Sequence, residues 1–247
     1  MHRPSGWLLQ SLLWLLPLFV GACAGVQRDA SLPINDPNEQ QNRAALEVNQ
    51  ATLHPLSVAV KAVTPGPIHD RLHDLNANLK EPRIFANDIL QGRFSAALHT
   101  AVRFMTNSTI GIGGLFDVAA IGGLPQESGD FGQTLFVWGV EPGPYVIFPY
   151  LGPSTLRDGF GTGIDMAADP LGWTMGNFLG MAPSIASGTL DGTVRLRELK
   201  EAEDASIDFY AFLRSAYYQT RRAQLREAIG LPKEEVLESP ATATQPK

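Results

Sequence analysis

The chain holds a single cysteine, Cys23, in 247 residues, which excludes an intramolecular disulfide and a thiolate metal cage. Positive charge is also scarce: 19 Lys and Arg stand against 25 Asp and Glu, a formal net charge of −6. Arg3 is the only charged residue among residues 1–22, so the rest of the chain is more acidic still. Nucleic acid is therefore excluded as a partner. An acidic chain also gains no general attraction to an anionic lipid surface, so any membrane attachment must be apolar or covalent. Long apolar runs are missing too. Residues 7–20 are apolar apart from Gln10 and Ser11, but a bilayer span needs about 20 residues. No period of repeat-protein length is visible, and the length beyond residue 34 suits one domain of ordinary size.

What is present begins with that short apolar run. His2 and Arg3 precede it, and Val20-Gly21-Ala22-Cys23 follows it, an order that fits a signal peptide over residues 1–22. The four-residue motif resembles the cleavage box of bacterial lipoproteins. A thiol is needed there to accept a diacylglyceryl group, and small residues let a peptidase cut before it, which makes Cys23 the predicted lipid-attachment site. Several acyl chains on one residue anchor stably, because each buried methylene contributes about 0.8 kcal/mol. Ala24 follows the cysteine; by resemblance to Gram-negative lipoproteins, the lack of an aspartate there implies sorting to the outer membrane. Residues 23–34 read as a lipidated tether.

The stretch 103–161 dominates the remainder. Phe94, Ala97, Leu98, Ala101, Val102 and Met105 repeat at three- and four-residue steps, one face of a helix that ends at Asn107-Ser108-Thr109. Glycines then alternate with Ile110, Ile112, Leu115, Phe116, Val118 and Ile121, giving apolar surface on a backbone free to bend. A second apolar block, residues 131–140, runs into Pro142-Gly143-Pro144, and residues 145–151 are almost wholly apolar and aromatic. Either these loops fold into a protein core, or they face lipid, because such a surface is costly to leave in water.

Elsewhere every strong periodicity is helical. Asp36, Pro37 and Glu39 read as N-cap, first helical position and third position of a helix, with a break at His54-Pro55 and a turn at Pro65-Gly66-Pro67. Ile68, Leu72, Leu75 and Leu79 mark a helix ending before Glu81-Pro82, and residues 84–90 mark another, stopped by Gln91-Gly92. Ser154 reads as an N-cap before residues 155–158. Residues 164–183, apolar and broken by glycine, form a second candidate lipid-facing element, and residues 190–199 turn charged and helical. The last helix spans about residues 205–229, with Phe209, Phe212, Leu213, Ala216, Tyr217 and Thr220 on one face and Gly230 and Pro232 as stops. Residues 231–247 read as a disordered tail.

No catalytic constellation assembles from these elements. His69 and His73 sit one helical turn apart, but aspartate follows His69 where a zinc protease motif needs glutamate. Gly111-Ile112-Gly113-Gly114 lacks the third glycine and the preceding strand of a dinucleotide site. Ser154 and Ser187 lack the glycine frame of a hydrolase elbow. Asp158, Asp165 and Asp169 fit turn chemistry better than a cation site. The chain thus reads as a non-enzyme with no cofactor and no metal.

The motifs in order carry a family likeness. Asn35-Asp36-Pro37, Asn42-Arg43 and Asn49 come first, then Asn78-Leu79-x-Glu81-Pro82, Asn87 and Leu90-Gln91-Gly92. Arg103-Phe104-x-x-Asn107-Ser108-Thr109, Asp130-Phe131-Gly132-Gln133-Thr134, Pro149-x-x-Gly152-Pro153-Ser154-x-x-Arg157-Asp158 and Tyr217-x-Gln219-x-Arg221-Arg222 follow. Together they resemble the MlaA (VacJ) lipoproteins across residues 35–225, departing at Gln41, Leu46 and Val48, where the family carries aromatics. The resemblance implies an all-α domain over residues 35–230: a ring-like arrangement of amphipathic helices, seated in the inner leaflet of the outer membrane around a central channel, with glycine-broken apolar segments as its belt. Mislocalised phospholipids would leave the outer leaflet through it for a periplasmic carrier, MlaC, and a trimeric outer-membrane porin is the implied partner. On this reading Asn42, Arg43 and Asn49 are family-motif residues. Arg157 and Asp158 are expected to line the lipid channel, and Tyr145, Ile147, Phe148, Tyr150 and Leu151 to form an apolar membrane-facing loop. A structural lipoprotein without lipid traffic and a tethered periplasmic hydrolase are the rivals.

Overall fold

A computed structural model describes residues 33–63, 66–149, 151–168, 203 and 205–231, with backbone alone for 53–63. Cys23, the leader, most of the tether, the second apolar element beyond residue 168, the predicted helix at 190–199 and the tail from residue 232 lie outside the described residues.

The described chain is mainly helical: α1 (Glu39–Val63), α2 (Gly66–Leu90), α3 (Phe94–Thr109), α4 (Val118–Ile121), α5 (Phe131–Val137), α6 (Leu156–Ala167) and α7 (Phe209–Ala228). Between α5 and α6 an antiparallel hairpin pairs β1 (Tyr145–Phe148) with β2 (Gly152–Thr155), Tyr145 opposite Thr155 and Phe148 opposite Gly152. The helical expectation therefore holds for most of the chain, and the hairpin is an addition to it.

Several predicted breaks are not breaks. Helix α1 runs on through His54-Pro55, and α2 runs on through Pro82. A proline removes one N–H from the ladder without requiring a stop if the exposed carbonyls find donors. In α2 the carbonyl that Pro82 leaves without its helical donor is that of Asn78, and Gln126 Nε2 braces the same turn by donating to the adjacent Ala77 carbonyl at 2.9 Å. Nor does Asp36 cap α1. The helix begins at Glu39, and the Asp36 carboxylate instead accepts from Tyr210 Oη at 2.5 Å and from Arg214 Nη1 at 2.6 Å, tying the chain entry to α7. The cap of α6 is Thr155, whose side chain accepts from the Asp158 N–H; Ser154 lies in the strand before it. Caps at Asp117 for α4, at Asp130 with Gln133 for α5 and at Asp208 for α7 end their neighbours' loops in the same way.

The packing is inverted relative to a water-soluble bundle. Helix α3 buries Ala96, Ala97, Thr100, Arg103 and Asn107. Its apolar stripe points outward instead, with Phe94 69%, Leu98 67% and Met105 66% exposed. Of the apolar face read from the sequence, Ala97 alone is fully buried. The glycine-broken segment continues that outer surface through Ile110, Ile112 and Ile121, the last 85% exposed. Helix α7 likewise buries Tyr210, Tyr218, Arg221, Leu225 and Ala228, a face turned away from the predicted one, and leaves Phe212 exposed. No helix among the described residues is long and apolar enough to cross a membrane.

Candidate functional site

The buried side chains between the helices are largely polar, and they form three connected clusters. In the first, Arg103 is fully buried on α3. Its Nε lies 2.9 Å from Glu81 on α2 and its Nη2 3.0 Å from Asp117, while Nη1 donates to the Leu124 carbonyl. Asn107, one turn on, donates to Asp117 Oδ1 at 2.9 Å and accepts from the Ala119 N–H. A buried guanidinium is tolerable only when its donors are used in this way.

The second cluster joins α2, α5 and α6. Asn87 donates to Asp165 Oδ1 at 3.0 Å and accepts from Thr134 Oγ1 at 2.8 Å, and Gln91 Nε2 donates to the same hydroxyl. Asp165 Oδ2 accepts the Phe131 N–H at 3.0 Å. Burial pushes the Asp165 carboxyl above the usual range, against the opposing pull of Arg83 and these hydrogen bonds.

The third centres on Arg221 of α7. Its guanidinium grips Asp130 through Nη1 and Nη2 at 2.6 and 2.8 Å, and Asp158 through Nε and Nη2 at 2.9 and 2.8 Å. Tyr217 Oη donates to Asp158 Oδ2 at 2.7 Å and Arg157 Nε to Asp158 Oδ1 at 2.8 Å. Burial alone would raise the Asp158 carboxyl, but the Arg221 charge, its hydrogen bonds and Arg157 outweigh it and hold the group well below the carboxylate range.

This cluster corrects one sequence expectation. Arg157 and Asp158 are only 4% and 6% exposed, and their charges are spent on holding α5, α6 and α7 together. They act here as struts and do not present a polar lining, although Arg157 Nη2 remains buried without an acceptor.

The membrane-facing loop is corrected at two of its five positions, Tyr145 and Ile147. Alternation along β1 turns Tyr145 and Ile147 inward, 0% and 3% exposed. The Tyr145 ring sits among Tyr210, Tyr217 and Tyr218, with centroids 6.2, 5.8 and 5.9 Å away. Phe148 is half-buried and Leu151 exposed; Tyr150 lies outside the described residues.

The family-motif residues have a clear structural part. Asn42 acts as a surrogate strand edge: its Nδ2 donates to the Tyr145 carbonyl at 3.0 Å and its Oδ1 accepts the Ile147 N–H at 2.9 Å. Asn49, two turns along the same face, donates to the Phe148 carbonyl at 3.0 Å. Arg43 makes a two-point contact with Asp208 at 3.1 and 2.6 Å and stacks over the Tyr210 ring at 4.4 Å. These three residues bind α1 to the hairpin and to α7.

His69 and His73 each lie beside the neighbouring aspartate, at 3.9 and 3.8 Å. The described residues contain no group of three or more His, Cys, Asp or Glu side chains placed to hold a metal ion. Glu81, Arg103, Asp130 and Arg221, which enter the sequence reading only as motif residues without a site role, and Asp117 are the further members of the site. One signal was available: Thr100, Arg103 and Asn107 recur at helical spacing opposite the apolar stripe of α3, which marks an inner polar face once the apolar one is taken as outer.

Comparison with known proteins agrees with this architecture. A protein of Rickettsia felis, itself uncharacterised, is 32% identical over 207 residues, covering 82% of both chains. The Escherichia coli K12 intermembrane phospholipid transport system lipoprotein MlaA is 32% identical over 196 residues, 75% of this chain and 76% of that one. A solved structure, described as the structural basis for maintenance of bacterial outer membrane lipid asymmetry, superposes with a TM-score of 0.67 and 29% identity, over 77% of this chain and 98% of that one. The family model for MlaA lipoprotein matches residues 34–224, and the chain belongs to that family.

Proposed function

We propose that the protein transports phospholipid between membranes and so maintains the lipid asymmetry of the outer membrane, taking mislocalised phospholipid from the outer leaflet and passing it to a soluble periplasmic carrier of the MlaC kind. The observation that carries this reading is the inverted packing: paired charges and amides inside, and Phe94, Leu98, Met105, Ile110, Ile112 and Ile121 outside. Such a surface suits acyl chains on its outer face, and the paired interior charges hold the helices together without an apolar core between them. The named relative and the matching structure support the same activity.

On this reading Cys23 carries the lipid anchor and the helical domain lies in the inner leaflet as a ring about a channel, beside a trimeric porin. On the same reading the domain enters one leaflet only, and no helix among the described residues is long and apolar enough to cross a membrane. The structural-lipoprotein alternative differs in one measurable respect. In cells lacking the gene, outer-leaflet phosphatidylethanolamine is labelled, and wild type or Cys23→Ala is added back. Accumulation that wild type reverses and the unanchored variant does not is the expected result. A null strain with no accumulation would sink the transport reading and leave a structural lipoprotein.

A further inference from the structure

Helix α2 carries unspent donors along one side. A step of about 100° per residue puts Asn76, Lys80, Arg83 and Asn87 within about 60° of arc, a row of amide and cationic side chains that contains no carboxylate. Lys80 has a partner of its own, and Asn87 is bonded to Asp165 and Thr134. Asn76 and Arg83 differ from these two. Asn76 Nδ2 and Arg83 Nε are both buried without a hydrogen-bond partner among the described residues. Arg83 pulls on the Asp165 carboxyl, but Asp165 Oδ1 is taken by Asn87 and Oδ2 by the Phe131 N–H, each at 3.0 Å. A buried donor without an acceptor is costly, and two of them on one row of one helix point to an acceptor from outside the chain. Arg83 is partly exposed and so within reach of one.

A second row gives that acceptor a class. Leu72, Leu79 and Leu90 share a strip about 60° round the helix from the first, and they are 36%, 39% and 43% exposed. Cation and amide thus run beside alkyl along the length of α2. The planar fork of an arginine matches the oxygens of a phosphate, and exposed leucines match acyl chains. Inorganic phosphate or an acidic peptide would use the first row alone, whereas a phospholipid uses both.

We propose that Arg83 binds the phosphodiester of a glycerophospholipid laid along α2, with its acyl chains on Leu72, Leu79 and Leu90 and Asn76 as a donor to its glycerol ester region. The inference rests on the lipid-transport reading and adds to it the residue that grips the phosphate. A lipid in transit and a lipid of the surrounding leaflet bring the same phosphodiester, and the two are separated by the test in cells.

The full-length lipoprotein in dodecyl maltoside, a detergent without phosphate, is titrated with dihexanoyl phosphatidylglycerol and, separately, with inorganic phosphate, following the phosphorus resonance. Wild type is expected to bind the lipid about tenfold more tightly than inorganic phosphate. Arg83→Gln is expected to weaken lipid binding about tenfold, a loss of about 1.4 kcal/mol, and Arg83→Lys to recover part of it, with helical circular dichroism unchanged in both. Leu72→Ser with Leu79→Ser is expected to weaken the lipid and to leave inorganic phosphate as in wild type. Lipid binding that is unchanged in Arg83→Gln overturns the proposal, and so does a leucine pair that binds lipid as tightly as wild type, a result that decides the matter even if Arg83→Gln does not fold. Arg83→Gln is then added back to the null strain at wild-type abundance. Surface phosphatidylethanolamine that stays high identifies the bound lipid as one in transit, and normal clearance identifies it as a lipid of the surrounding leaflet. Failure of the binding site leaves the transport reading standing, because that reading falls only with a null strain that shows no surface accumulation.

Discussion

Buried charge is the dominant feature at single positions, and it makes stability sensitive to pH in opposing directions. Asp88 is raised from its ordinary 3.8 to about 6, first by burial, against the pull of Arg93 and Thr100. The folded protein therefore keeps a proton on Asp88 that the unfolded chain has already lost between pH 3.8 and about 6. This contribution to stability is full below that window and is lost as pH rises through it. Asp208, held down to about 2 by hydrogen bonds from Arg43 and the Ala211 N–H, contributes in the other sense, losing stability as pH falls below 3.8. Asp88→Asn is accordingly expected to flatten the decline in melting temperature between about pH 4 and 6. Glu81 and Asp165, also raised by burial, leave a residual slope, whereas a wholly unchanged slope would clear Asp88 of the effect. Arg221 gives a larger response. Its side chain is 7% exposed and holds both Asp130 and Asp158, so Arg221→Met strands two carboxylates against Arg157 alone. A loss of about 3–5 kcal/mol is expected in urea unfolding; a loss below about 1 kcal/mol would show that the cluster is dispensable.

Helices α5 and α6 meet through glycine. A Cβ on Gly161 would stand 2.4 Å from the Gly132 nitrogen and 2.7 Å from its Cα, while one on Gly163 meets nothing within 4 Å. Gly161→Ala is expected to force the helices apart at a cost of about 1–3 kcal/mol. Gly163→Ala, in the same helix, is expected to stabilise by about 0.5–1 kcal/mol through reduced backbone entropy in the unfolded chain. Denaturant midpoints moving in opposite directions would confirm the crossing, and equal shifts would refute it. The ends of α3 and α7 were legible in the sequence because Gly92, Asn107-Ser108-Thr109 and Gly230 mark them locally. The hairpin was not, since four-residue strands between prolines show too little alternation to register. The continuity of α1 and α2 was hidden because a proline's cost is local, whereas the Gln126 side chain beside Pro82 comes from a loop 49 residues beyond Ala77. The same holds for the site. Asn42 and Asn49 share a face by spacing alone, but the fate of Arg157 and Asp158 was decided by Arg221, 63 residues beyond Asp158.

Periodicity reveals that α3 has an apolar stripe without revealing which solvent the stripe meets, and that sign is a property of the assembled molecule. Water would favour turning Leu98 and Met105 inward; the fold instead places Arg103, Glu81 and Asn107 there, Arg103 bonded to Glu81 and Asn107 to Asp117. An arrangement of this kind is stable where the exterior is not water. The consequence can be separated from lipidation by working in a Cys23→Ala chain. Leu98, Met105 and Ile121 are 67%, 66% and 85% exposed, so replacing each with Glu removes no core contact and, as a surface change, is expected to alter stability by no more than about 0.5 kcal/mol per position. It places three charges in what the lipid-facing reading makes the acyl region, where a centrally placed acidic residue costs about 2.5–3.5 kcal/mol. Expressed without its anchor, the parent chain is expected to float with phospholipid vesicles in a density gradient. The triple variant is expected to stay in the dense fraction with its helical circular dichroism intact. If the triple variant floats as well as its parent, the stripe on α3 does not face lipid, and the inverted packing must be covered by another protein surface.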